Sequence, residues 1–135
     1  MNQLINESKI TRIDGGAKTS EPIYSIYLSG KITGDPDYRN KFAVVAQTLR
    51  CKYPNATVFN PAHEFRDIAE KLERSGADKE VAHDILVDFC IQILKDCDTI
   101  AIMPDWTDSK GAIAEVDAAL REGMKVVWVE QDWLP

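Results

Sequence analysis

A run of polar and small residues, Trp106-Thr107-Asp108-Ser109-Lys110-Gly111, leads into an apolar-periodic segment that carries a carboxylate at Glu115. Aspartate or serine ahead of such a segment caps a helix, so Asp108 or Ser109 is the expected N-cap. A capped helix start turns unpaired N–H groups and the positive end of its dipole outward, which is the chemistry of an anion or phosphate site. Glycine weakens a helix, so Gly111 points to close approach of another backbone or of a ligand. Glu115 stands about one turn further in, near enough to meet the same ligand. A plain cap followed by a surface carboxylate satisfies the same spacing.

Two other loops bear on the same chemistry. Ser29–Asp35 holds Gly30 and Gly34, which permit tight backbone geometry, and Lys31, which adds a positive charge. It lacks the G-K-[ST] ending of a Walker A loop, and an ordinary strand–helix turn explains it equally. Asn60–Glu64 is the second. His63, beside Asn60 and Pro61, either lines a pocket wall or is a solvated loop residue. His63 and His83 lie too far apart for a metal-ligand motif, so no metal is expected. Trp106 either stacks on a base or sugar or lies as a lid over the core. The three cysteines, Cys51, Cys90 and Cys97, form no C-x-x-C pair, which argues against a disulfide scaffold and a structural zinc. Cys90 lies on an apolar helical stripe and reads as buried.

The elements that must hold these residues follow from periodicity. Ile23–Leu28, rich in β-branched and aromatic residues, is a first strand. Asp37–Lys52 repeats Phe42, Val45, Ala46 and Leu49 at helical spacing. Ala56–Phe59 is a short strand ended by Asn60-Pro61. A helix over His63–Arg74 has Phe65, Ile68, Ala69 and Leu72 inward. Lys79–Lys95 is a strongly amphipathic helix, with Val81, Ala82, Ile85, Leu86, Phe89, Cys90, Ile93 and Leu94 forming one wide buried face. Thr99–Met103 is a continuous apolar strand of the kind found inside a parallel sheet. Lys110–Glu122 is a helix stopped by Gly123, and Lys125–Val129 is the last strand. This order gives a doubly wound α/β sheet. Ligands in such sheets bind outside the carboxyl ends of the strands, where strand order reverses, and the three loops above lie there.

The chain of 135 residues fits one domain, 22–135, behind a polar arm, 1–21, with one short strand around Ser8–Ile13. No apolar run approaches the ~20 residues that span a bilayer, so no membrane is expected. Met1–Ser20 lacks the apolar region of a secretory signal, so the expected location is the cytoplasm. A net charge of −6 repels a phosphate polymer, which argues against DNA or RNA as principal partner. A small phosphate ester is still compatible with a helix N-terminus.

Several blocks in order resemble a known family: Tyr27-Leu28-Ser29-Gly30-Lys31-Ile32-Thr33-Gly34, then Phe59-Asn60-Pro61-Ala62, then Asp96-Cys97-Asp98-Thr99-Ile100, and Trp106-x-x-Ser109-x-Gly111-Ala112-x-x-Glu115. Together they resemble a phage and prophage family of unknown function, DUF4406-like, within the nucleoside 2-deoxyribosyltransferase-like superfamily. The resemblance implies a three-layer flavodoxin or Rossmann-like fold with a mainly parallel sheet, and a pocket for a deoxyribonucleoside or its 5′-monophosphate, with no cofactor. It implies that Glu115 is the nucleophile at the sugar C1′, kept ionised by the helix start and oriented by Tyr27. Ser109, Gly111, Gly30, Lys31 and Ile32 then match substrate and phosphate contacts, with Trp106 and Asn60 beside them. A homo-oligomer is implied by analogy. Relatives carry an aspartate where this chain has Cys90, and Asp105 is the residue able to supply a carboxyl group in its place. The readings are therefore an N-glycosidase or deoxyribosyltransferase, or a nucleotide-binding, sensing or sequestering protein without turnover. An interaction module is a third reading, which leaves the glycines and Glu115 without a role.

Overall fold

The computed structural model describes residues 22–135, apart from the side chains of 64–67 and 69. The arm and the strand expected at Ser8–Ile13 lie outside the described residues. The elements run β1 (Ser25–Ser29), α1 (Tyr38–Lys52), β2 (Thr57–Phe59), α2 (Pro61–Arg74), α3 (Lys79–Lys95), β3 (Thr99–Ile102), α4 (Lys110–Arg121) and β4 (Lys125–Trp128). Short 3-10 turns cover Trp106–Asp108 and Gln131–Trp133. The four strands are all parallel, in the order β2-β1-β3-β4. Strand order therefore reverses between β1 and β3, consistent with a flavodoxin or Rossmann-like fold.

Strand alternation divides the core into two layers. Ile26, Leu28, Ala101, Met103 and Val127 face α1, where Phe42, Val45 and Leu49 are fully buried. Tyr27, Ile100, Ile102 and Val126 face α3 and α4, where Cys90, Leu94, Val116 and Ala119 close the other layer. Because the side-chain period of a strand is two, Ser29 shares the face of Tyr27. Both therefore look toward α4.

Two helix starts are set by local chemistry. Asn60 Oδ1 accepts the Ala62 N–H at 3.0 Å, with Pro61 at the first helical position, so α2 begins earlier than His63. Asn60-Pro61 is thus a helix start as much as a strand end. Ser109 Oγ accepts the Ala112 N–H at 3.1 Å and caps α4, while Gly123 takes the left-handed conformation after it.

The wide buried face expected on α3 is not formed. Only Cys90 and Leu94 are buried, whereas Val81, Ile85 and Phe89 remain 51%, 45% and 42% exposed. The reason is length. A 17-residue helix is about 25 Å long, against about 13 Å for a four-residue strand. The C-terminal half of α3 leads into β3 and packs on the sheet, so its N-terminal half overhangs the carboxyl ends of the strands. That overhang supplies one wall of the site.

Candidate functional site

Tyr27 and Ser29, two residues apart on β1, reach Glu115 from the same sheet face. Tyr27 Oη donates to Glu115 Oε2 at 2.5 Å, and Ser29 Oγ donates to Oε1 at 2.6 Å. Each carboxylate oxygen is thereby held by its own donor, which fixes the plane of the group. The Cys90 thiol, from α3, is a further hydrogen-bonding neighbour. Glu115 is 8% exposed, and no ion pair to it occurs among the described residues.

The electrostatics follow from that burial. Desolvation raises the pKa of Glu115 to about 7, against the opposing pull of the bonds from Ser29, Tyr27 and Cys90. The expectation that the helix start keeps this carboxylate ionised is therefore corrected. Glu115 is the sixth residue of α4, beyond the first turn over which the dipole acts. Burial also pushes Tyr27 and Cys90 up, with the Glu115 charge adding to both, so both stay protonated as donors.

Glu115 opens onto a cleft of about 100 Å³ at the carboxyl edge of the sheet. Gly30 and Ile32 border it from the loop after β1, Ser109 and Gly111 from the start of α4, and His83, Leu86, Val87 and Cys90 from α3. His83, Val87 and Gly111 also border an adjoining groove of about 420 Å³, flanked by Asp84, Asp88 and Lys110. The N–H groups of Lys110 and Gly111, at the first two positions of α4, have no partner within the helix. The two glycines differ. A Cβ on Gly30 would lie 3.0 Å from Met103 Cβ and Sδ, so that glycine is needed for packing. A Cβ on Gly111 would meet only Val87 Cγ2 at 3.8 Å and Ser109 Oγ at 3.9 Å. No backbone crowds Gly111, and the space beside it belongs to the cleft.

Glu115, Gly30, Ile32, Ser109 and Gly111 are thus brought together, with Tyr27 behind Glu115. Asp105 is placed elsewhere. Its Oδ1 accepts the Lys31 N–H at 3.1 Å, and its Oδ2 pairs with Lys41 Nζ, which also pairs with Asp35. Burial works against the Lys41 charge, but Asp105 and Asp35 outweigh it and raise its pKa, while the Lys41 bond lowers that of Asp35. This cluster joins the loop after β1 to the loop after β3. Lys31 enters through its backbone, as donor to Asp105 and as acceptor for Lys41. Trp106 is half-buried and packs against the core layer that contains Tyr27 and Cys90. Asn60 caps α2 and borders a separate surface depression with the exposed His63. Asp98 accepts the Tyr24 and Ser25 N–H groups at 2.9 and 3.1 Å and ties β1 to β3 at the amino edge of the sheet. Among the described residues no cluster of histidine, cysteine and acidic side chains could hold a metal ion, and no helix is long and apolar enough to cross a membrane.

Sequence reasoning missed Ser29 and His83. The signal for Ser29 was its two-residue spacing from Tyr27 on a strand. For His83 it was the i, i+3, i+4, i+7 series His83, Leu86, Val87 and Cys90, all of which border the cleft.

Residues 24–128 match the model of a protein family described as "Domain of unknown function (DUF4406)", and the chain belongs to that family. No curated protein and no solved structure matches the chain.

Proposed function

We propose that this DUF4406 member binds a deoxyribonucleoside or its 5′-monophosphate in the Glu115 cleft and cleaves its N-glycosidic bond, in the manner of the nucleoside 2-deoxyribosyltransferase-like superfamily. The observation that carries the reading is a buried carboxylate with no cation beside it among the described residues, held by two hydroxyl donors at a cleft beside a helix N-terminus. In its ionised form Glu115 attacks C1′, the C1′–N bond breaks, and the electron pair leaves with the base. Water then hydrolyses the resulting deoxyribosyl ester and regenerates the carboxylate. A pKa of about 7 leaves a large ionised fraction at neutral pH. Each oxygen keeps lone pairs beyond those taken by Tyr27 and Ser29. The unpaired N–H groups of Lys110 and Gly111 suit a 5′-phosphate. The cleft is smaller than the ~300–1,000 Å³ of pockets that enclose a drug-sized ligand, so it suits the sugar, with the remainder in the adjoining groove.

One observation favours a second reading, a nucleotide binder without turnover. Cys90 stands beside Glu115 as a thiol whose pKa burial raises, so no second carboxylate acts there. Incubating the protein with each deoxynucleoside and deoxynucleotide separates the two. Base release that vanishes in Glu115→Gln supports cleavage. A thermal shift with a nucleotide but no release supports the binder. Neither response contradicts both.

A further inference from the structure

An N-glycoside leaves readily only if its departing base gains a proton, and the cleft must contain the group that gives it. Among the described residues, the titratable side chains bordering the cleft are Glu115, Cys90 and His83. Glu115 is the nucleophile of the reading above. Cys90 is 1% exposed, bonded into the Glu115–Tyr27 cluster, and holds its proton too tightly to donate it near neutrality. Asp105 is ion-paired to Lys41, and Asp88 faces the outer groove rather than the cleft. Of the three that border the cleft, His83 is the exposed one, and it sits on the boundary between cleft and groove. It lies two turns from Cys90 on one face of α3, about 10 Å along the axis. A sugar seated against Glu115 leaves the adjoining groove, which His83 borders, as the space for its base. The charged groups around that boundary are Asp84 and Asp88 on α3 and Lys110 on α4.

We infer that His83 is the proton donor to the departing base, an inference that rests on the N-glycoside reading. As Glu115 Oε bonds to C1′, the C1′–N pair moves into the base, and the imidazolium transfers its proton to a ring nitrogen or carbonyl of that base. The free base and neutral His83 result. When water attacks C1′ of the ester, His83 takes the proton the water loses, and the Glu115 carboxylate departs. The enzyme returns to its starting protonation state. An acid at this position also accounts for a site whose other titratable α3 residue is a thiol.

The test compares two leaving groups in wild type, His83→Gln, His83→Ala and Glu115→Gln. One substrate set is the natural deoxynucleosides and deoxynucleotides. The other is 4-nitrophenyl 2-deoxyriboside, whose phenolate departs without a proton. Read as kcat/KM, which reports the steps through leaving-group departure and not the later hydrolysis of the ester, the His83 variants are expected to lose 10²–10⁴-fold on the natural bases and less than about 10-fold on the nitrophenyl substrate. Glu115→Gln is expected to lose both. His83 variants that keep the wild-type kcat/KM on natural bases, or lose kcat/KM equally on both substrates, overturn the assignment while leaving Glu115 in place. A wild type that releases neither base nor nitrophenolate contradicts the glycosidase reading itself, and the His83 assignment falls with it. His83 is exposed, so melting curves that match the wild type confirm that the variants are folded.

Discussion

Two carboxylate centres stand at the carboxyl edge of the sheet, and they are built in opposite ways. Asp35 and Asp105 share the buried Lys41 ammonium and hold two loops together. Glu115 is deeper, has only hydroxyl and thiol donors among the described residues, and opens onto the cleft. A carboxylate beside a cation is favoured as an ion and gains a structural role. One that is buried with neutral donors stays poised between its two forms. The sequence places both kinds near Trp106, and only the partner separates structure from chemistry.

The comparison breaks most sharply on turnover. Glu115→Gln is expected to lower base release by at least ~10³-fold, as removal of a nucleophile does, whereas Asp105→Asn costs less than ~10-fold. Equal losses in the two variants, measured as released base, erase the distinction. On stability the order inverts. Lys41→Met leaves Asp35 and Asp105 facing each other without a cation and is expected to cost about 1–3 kcal/mol in urea unfolding, below the ~3–5 of a fully buried pair because both acids are partly solvated.

The pH dependences have opposite signs. The folded pKa of Glu115 is raised from 4.5 to about 7, so its favourable contribution is complete below pH 4.5 and is lost as pH rises to about 7. The loss is on the order of 3–4 kcal/mol, at about 1.4 kcal/mol per pKa unit, and should be absent from the melting profile of Glu115→Gln. The pKa of Asp35 is lowered, so its contribution is present above its ordinary 3.8 and is lost as pH falls below that value. Lys41→Met should flatten the acid limb and leave the neutral one intact. The two glycines differ in the same way, and the smallest effect belongs to Gly111. Gly30→Ala is expected to destabilise by about 1–3 kcal/mol through Met103. Gly111→Ala should be neutral or stabilise by up to ~1 kcal/mol in thermal melts, while weakening nucleotide binding.

Much of the architecture was legible because periodicity reports which face of an element is apolar. The β1–β4 strands and a cap at Asp108 or Ser109 follow from local pattern, whereas the pairing of Tyr27 with Glu115 was implied by the family resemblance. Periodicity does not report how much partner surface is present, so the α3 stripe read as wholly buried although the strands are too short to cover it. Asp105 was misplaced for a related reason. Its cation, Lys41, lies 64 residues away on α1, in a stretch that reads as an ordinary amphipathic helix. The ionisation of Glu115 was read from the helix dipole, a local property, whereas burial by β1, α3 and α4 together decides it.

The central claim is that burial without a cation leaves Glu115 poised near neutrality. It is tested most directly by a ¹³C NMR titration of the glutamate side-chain carboxyls, with the Glu115 signal identified by its absence in Glu115→Gln. The account predicts a midpoint close to 7. A midpoint at the ordinary 4.5 would contradict it.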